Sequence, residues 1–251
     1  MQVAVLSDIH ANLPALRAVL ADCEHRGVDR IYHLGDLVGY APWPNEVAAS
    51  IREAGIEGIQ GNYDSTVAND HPHCGCQYDD PRERELSAES YAWTVTHTSA
   101  ETKRWMGRLP FSMTARPLGG HRGDGPVLRM VHGTASLNTV YWREDRTDAF
   151  ARKMLELLAA KAGDLVLFGH THRPWHRFVD DVLLVNTGSV GRPKDGDPRA
   201  GYALVELGGD PRVEQVRVAY DVEEAARAVV DAGLPEAFAH VLRTGGSIDP
   251  N

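Results

Sequence analysis

The chain has 251 residues, 43% of them apolar and 24% charged, a balance ordinary for a soluble globular protein with a sizeable core. Its 26 basic and 35 acidic residues leave a net charge of −9, which argues against a protein that coats nucleic acid, so no polynucleotide partner is expected. No apolar run approaches the roughly 20 residues of a membrane span, and the N-terminal apolar stretch is short and lacks a basic flank, so no membrane contact and a cytoplasmic location are expected.

QVAVLS (2–7) reads as a buried strand. LPALRAVLADCEHRG (13–27) has helical spacing, with Leu13, Leu16, Val19 and Leu20 on one side and Gly27 as a stop. RIYHL (30–34) is the next strand, PWPNEVAASIREAG (42–55) a helix and IEGIQ (56–60) a third strand. This alternation marks an α/β layer with a largely parallel sheet. Residues 65–82 read as a long polar loop, and loops of that length are usually functional or disordered. Residues 83–109 read as helical, with a break near Thr98–Ser99. GPVLRMVHG (125–133) is a strand running into a loop. The helix DAFARKMLELLAAKAG (148–163) is expected to bury Phe150, Met154, Leu157 and Leu158, and DLVLFG (164–169) follows as a strand. Short β-like runs then crowd together: WHRFV, VLLVN, GYALVEL and RVEQVRVAY. Helical text returns at 221–243. No repeat or low-complexity linker divides the chain, so one domain over 1–251 is expected.

The carboxyl ends of the strands carry the chemistry. The first ends in SDIHAN, with Asp8, His10 and Asn12, and the second in LGDLVG, with Asp36. The third ends in GNYD, with Asn62, Tyr63 and Asp64. Two more end in VHGT, with His132, and FGHTH, with His170 and His172. Ligands in open α/β sheets bind at these ends. Each residue alone is an ordinary cap or turn residue. Five in succession, four with glycine beside the ligand, are not an ordinary pattern. Asp8, His10, Asp36, Asn62, His132, His170 and His172 offer oxygen and imidazole donors without thiolate, a set suited to Mn, Fe, Zn, Ni or Co. Seven ligands exceed one tetrahedral ion but suffice for two if a carboxylate bridges. Paired metals about 3.5–4 Å apart are a recurring device for attack on phosphorus.

The order Asp8-x-His10, Gly35-Asp36-x-x-Gly39, Gly61-Asn62-Tyr63-Asp64, His132 and Gly169-His170-x-His172 resembles the calcineurin-like metallophosphoesterase superfamily. NTGSVGRP (186–193) also resembles a loop of its compact bacterial and archaeal members. The resemblance implies a four-layer αββα sandwich, two mixed β-sheets flanked by helices. It implies one metal on Asp8, His10 and His172, a second on Asn62, His132 and His170, and Asp36 bridging. Manganese is the foremost candidate. The implied activity is hydrolysis of a small phosphodiester, phosphoanhydride or phosphomonoester by a hydroxide that bridges the metals. The catalytic set expected is Asp36, Asn62, Tyr63 and Asp64. Alternatives within the resemblance are a serine/threonine-type protein phosphatase and a non-catalytic binding scaffold of the same fold.

One position departs from the pattern. Tyr63 stands where the family usually has histidine. A phenol, with a pKa near 10, can hydrogen-bond a phosphate but is a poorly matched acid at neutral pH. Substrate contacts are expected from Tyr63, from Asn12 (equally placed to cap the following helix) and from Arg192 in a glycine-rich loop that also holds Lys194 and Arg199. The substrate expected is a small phosphorylated compound, a nucleotide among the candidates, and a homo-oligomer is left open. HPHCGC (71–76) reads as a lid over the site, with an extra zinc as the lesser reading. Cys23, Cys74 and Cys76 are too few, and odd in number, for a disulfide framework. Tyr91, Trp93, Trp105 and Trp142 read as core residues before base-stacking ones.

Overall fold

Alternation along the first strand sets the layering. In β1 (Gln2–Leu6), Val3 and Val5 face one core while Ala4 and Leu6 face another. The computed structural model describes residues 1–78, 80–116, 125–208 and 210–246. Asp79, within the loop expected at 65–82, lies outside the described residues. After β1 come α1 (Leu13–Arg26), β2 (Arg30–His33), α2 (Pro44–Glu53), β3 (Glu57–Gly58), α3 (Asn62–Ala68), α4 (Pro81–His97) and α5 (Ala100–Met106). Next are β4 (Ser112–Ala115), β5 (Leu128–Val131), α6 (Asp148–Leu157), β6 (Leu165–Phe168), β7 (Trp175–Val179) and β8 (Val182–Asn186). The described chain closes with β9 (Ala200–Glu206), β10 (Arg212–Val218), α7 (Val222–Asp231) and α8 (Glu236–Thr244).

Two five-stranded sheets result, ordered β10-β9-β1-β2-β3 and β4-β5-β6-β8-β7. Strands β1, β2 and β3 run parallel, as do β5, β6 and β8. The flanking strands β9, β10, β4 and β7 pair antiparallel, so both sheets are mixed. Val3, Val5, Tyr32 and Leu34 of the first sheet meet Leu128, Met130, Leu165 and Leu167 of the second in the middle core. The outer face of the first sheet packs on α1, α2, α7 and α8, and that of the second on α6. The fold is the expected αββα sandwich. No helix among the described residues is long and apolar enough to cross a membrane.

Several local expectations change. The third strand shrinks from 56–60 to two residues, because the chain must turn at once to start α3. Residues 65–68, read as loop, belong to that helix. Strand β4 was not legible: its burial alternates on an edge strand with no long apolar run. Leu157 is 52% exposed. Helix α6 buries Met154 as expected, with Ala151 and Leu155 in place of Leu157, while Phe150 and Leu158 are partly buried against the same core. The final helical stretch is two helices, broken at Gly233 and Pro235.

Candidate active site

Parallel strands point their carboxyl ends one way, so β1, β2, β5 and β6 deliver Asp8, Asp36, His132 and His170 to one end of the sandwich. Two groups form there. Asp8, His10 and His172 make one, Asp36, His132 and His170 the other, and within each the ligand atoms lie within 4.8 Å of one another. All six residues are buried. Asp36 spans them: its Oδ2 is 3.4 Å from His132 Nε2 and 3.8 Å from His10 Nε2. Asn62, the first residue of α3, brings Oδ1 to 3.1 Å from His132 Nε2.

The backbone here is held where side chains resist going. Asp8, His10, Asp36, His170 and His172 have φ of 52°, 47°, 52°, 65° and 59°. Such left-handed residues cost roughly 1–3 kcal/mol each and persist where surrounding structure enforces them, often at functional sites. Two glycines make room. A Cβ on Gly61 would overlap the Asp36 carboxylate, and one on Gly169 would overlap Ser7 and Asp8.

Three of the four imidazoles are aimed by the far nitrogen. His10 Nδ1–H donates to the Val38 carbonyl (3.0 Å), His132 Nδ1–H to Leu34 (2.8 Å) and His172 Nδ1–H to Arg192 (2.6 Å). This leaves Nε2 as the free ligand atom. His10 Nε2 and His172 Nε2 then face each other at 3.1 Å. Burial, then the neighbouring His172, pushes His10 well below the usual imidazole range, and burial lowers His172 as well. Two bare lone pairs at that distance call for a cation between them. Asp8 Oδ1 and His170 Nε2 are likewise buried without a hydrogen-bond partner. In the second group, burial opposes charge on His132, yet the Asp36 and Asp8 carboxylates raise it to about 9. A proton there stands where a metal ion would. The donor chemistry of both groups suits metal binding, and six of the seven ligands named from the sequence make them up.

The remaining candidates separate. Tyr63 N–H donates to Asp36 Oδ1 (2.9 Å), and its ring packs edge-on against His10. Its hydroxyl is buried without a partner. Burial, then the Tyr40 and Tyr78 phenols, lifts Tyr63 well above the usual range, so it stays a neutral donor. Asp64, expected as catalytic, instead holds loops together. Its oxygens accept from Leu37 N–H (2.8 Å) and Gly61 N–H (2.9 Å). Asn12, expected at the substrate, caps α1 through Oδ1 and uses Nδ2 on the Gly191 carbonyl and Tyr220. Arg199 pairs with Asp197 on the surface, whereas Lys194 reaches Glu83 at 3.2 Å.

The HPHCGC loop lies against Asn62. Asn62 Nδ2 donates to the Cys74 carbonyl (3.1 Å) and Cys76 Sγ (3.2 Å), which turns Oδ1 toward the second group. Cys74 and Cys76 form a local disulfide. It closes no long loop and so is no framework. Among the described residues, neither metal-binding group includes His71, His73, Cys74 or Cys76. The four aromatics named from the sequence lie outside the pocket lining. Sequence reasoning missed Tyr40, Tyr78 and Tyr141, which line it. Tyr141 stacks on His170 with centroids 4.4 Å apart. The only signal was that Tyr40 follows Gly39 of the second block.

The space among the ligands is about 10 Å³, room for little beyond a water. It opens into a groove of about 1200 Å³ that shares Tyr78, Tyr141, Arg192 and Lys194.

Known proteins carry the same architecture. The family model of the calcineurin-like phosphoesterase superfamily domain matches residues 1–210. The chain is 30% identical over 249 residues to an uncharacterized protein, MJ0912, of Methanocaldococcus jannaschii, covering 93% of this chain and 94% of that one. It is similar to the crystal structure of a metallophosphoesterase from Sphaerobacter thermophilus, with 30% identity, a TM-score of 0.74, and 98% and 99% of the two chains covered. The hypothetical protein PH1004 of Pyrococcus horikoshii shares the fold, with a TM-score of 0.79, 23% identity, and 98% and 99% of the two chains covered. The match over 210 of 251 residues, on a fold that gathers the superfamily's motif residues at one end of two sheets, establishes that this chain belongs to the calcineurin-like phosphoesterase superfamily.

Proposed function

We propose that the protein is a dinuclear-metal phosphoesterase acting on a small phosphorylated compound. One observation carries this reading: two groups of ligands share a wall, with Asp36 Oδ2 within 3.8 Å of a histidine from each. The metals would supply a coordinated water of lowered pKa and offset phosphate charge. Asp8, His10 and His172 would hold one ion, and Asn62, His132 and His170 the other. The mix of nitrogen and oxygen donors puts manganese first, with Fe, Zn, Ni or Co as alternatives. Tyr63 would donate a hydrogen bond to a phosphate oxygen.

The test is hydrolysis of bis-p-nitrophenyl phosphate beside p-nitrophenyl phosphate by metal-stripped protein, with and without Mn²⁺. Metal-dependent release of nitrophenol from either compound is expected. The shared leaving group isolates diester from monoester chemistry. No turnover of either, across several metals, would favour the non-catalytic scaffold.

Tyr63 also sets an expectation on leaving groups. Its phenol is too weak an acid to protonate an alkoxide efficiently, so substrates with good leaving groups (phosphoanhydrides and aryl esters) should turn over best. Tyr63→His is expected to raise turnover of alkyl phosphate esters by about tenfold or more, with little change on aryl esters. An equal change on both classes would count against this role.

A further inference from the structure

Unmet polar groups around the site fall into two kinds. On the metal side they are acceptors, Asp8 Oδ1 and His170 Nε2. On the facing side they are donors: the Tyr63 hydroxyl, and Nε and Nη2 of Arg192. Arg192 is only 2% exposed. A guanidinium that deep normally has an anion, because an unpaired buried charge is strongly disfavoured. Among the described residues, Arg192 has no carboxylate partner at ion-pair distance. Its support comes from aromatic faces: the guanidinium carbon lies 4.1 Å from the Tyr40 ring centroid and 5.4 Å from that of Phe238.

The surroundings hold this cation in place. Arg192 N–H donates to Ser189 Oγ (2.8 Å), and its carbonyl accepts from His172 Nδ1. The same residue therefore orients a metal-site imidazole and lines the pocket with His10, Asp36 and His170. Two of its neighbours are matched: Lys194 pairs with Glu83, and Asp195 with Arg217. A fixed cation beside two metal ions is repulsive unless an anion lies between them. A phosphoryl group, rich in acceptors, would satisfy both sides at once, and a guanidinium fork suits it.

We propose that Arg192 is the specificity-determining residue that reads a second negative charge on the reacting phosphoryl group. It would favour dianionic substrates, phosphomonoesters and terminal phosphoanhydrides, over monoanionic diesters. The proposal rests on the phosphoesterase reading above and narrows its substrate class.

The test compares wild type, Arg192→Gln and Arg192→Lys, each loaded with Mn²⁺. On p-nitrophenyl phosphate, Arg192→Gln is expected to lose about 100-fold in kcat/KM, the worth of a lost charge-assisted pair. On bis-p-nitrophenyl phosphate the loss should stay under about tenfold, and Arg192→Lys should recover part of the monoester rate. Calorimetric titration with inorganic phosphate supplies a readout without turnover: Arg192→Gln should bind it at least about tenfold more weakly. Because the variant removes an unmatched buried charge, its metal-free melting temperature should hold or rise; a fall would mark a structural residue and overturn the proposal. Equal losses on the two esters would overturn it as well. If wild type turns over neither ester, the phosphoesterase reading fails by itself. Arg192 is then judged on phosphate binding alone, where equal affinities would overturn its role.

Discussion

Asp36→Asn is expected to abolish metal-dependent hydrolysis, with a loss of about 10³-fold or more, while leaving the fold intact. The carboxylate stands between both groups, 3.4 Å from His132 and 3.8 Å from His10. Asparagine has the same shape. Its carbonyl oxygen can still accept from Tyr63 N–H, the 2.9 Å contact that Oδ1 makes. The amide nitrogen then replaces Oδ2 and directs N–H dipoles at the space between the two groups. A bridging charge worth several kcal/mol of transition-state stabilisation is lost. Metal content, measured by mass spectrometry, should fall with activity, while circular dichroism stays unchanged. Full activity with two ions bound would remove Asp36 from the bridging role.

Metal uptake at the two groups is expected to respond differently to pH. In the first group, Asp8 is held well below its usual range: burial alone would lift it, but His172, His132 and His10 outweigh that. His10 and His172 are lowered, chiefly by burial. All three are already in their ligating forms at neutral pH, so affinity there should be nearly flat from pH 7 to 9. In the second group His132 sits at about 9. An ion must displace that proton, so below pH 9 affinity should climb by about tenfold per pH unit. The sign for stability follows from the same group. His132 is raised above its unfolded value of 6.5, so its contribution to the metal-free fold is full below 6.5 and is lost as pH rises through 9. Calorimetry in two buffers of different ionisation heat would count the protons. One proton released at one site and none at the other is expected. Equal release at both would show that the two groups are not electrostatically distinct.

The chain order of the ligands was readable because each block sits where an apolar run ends, most of them with a glycine beside the donor. Parallel strands turn that list into one cluster, since their carboxyl ends lie together. The αββα layering was implied by the motif resemblance, and the strand–helix alternation agreed with it. The pieces that failed were those whose fate depends on distant partners. Asp64 looks like its neighbours in GNYD, yet it is spent on backbone N–H groups of Leu37 and Gly61. Leu157 fits the apolar stripe of α6 as well as Leu155 does. Only the shape of the sheet beneath chooses between them.

By itself the sequence determined the seven metal-capable residues and the order in which the strands present them, because these are properties of single segments. Beyond Tyr63 and Arg192, which the sequence marked as substrate contacts, the tertiary structure alone decided what faces them. Tyr40, Tyr78, Tyr141 and Arg192 come from four separate loops, and no local pattern links them. The Arg192 guanidinium carbon reaches within 4.1 Å of the Tyr40 ring centroid because the loop after β8 folds back on the end of β1, where Val190 and Gly191 N–H donate to the Ser7 and Asp8 carbonyls. Periodicity reports which side of an element is buried. It does not report which other element buries it, and the donor wall of this site is made entirely of such meetings.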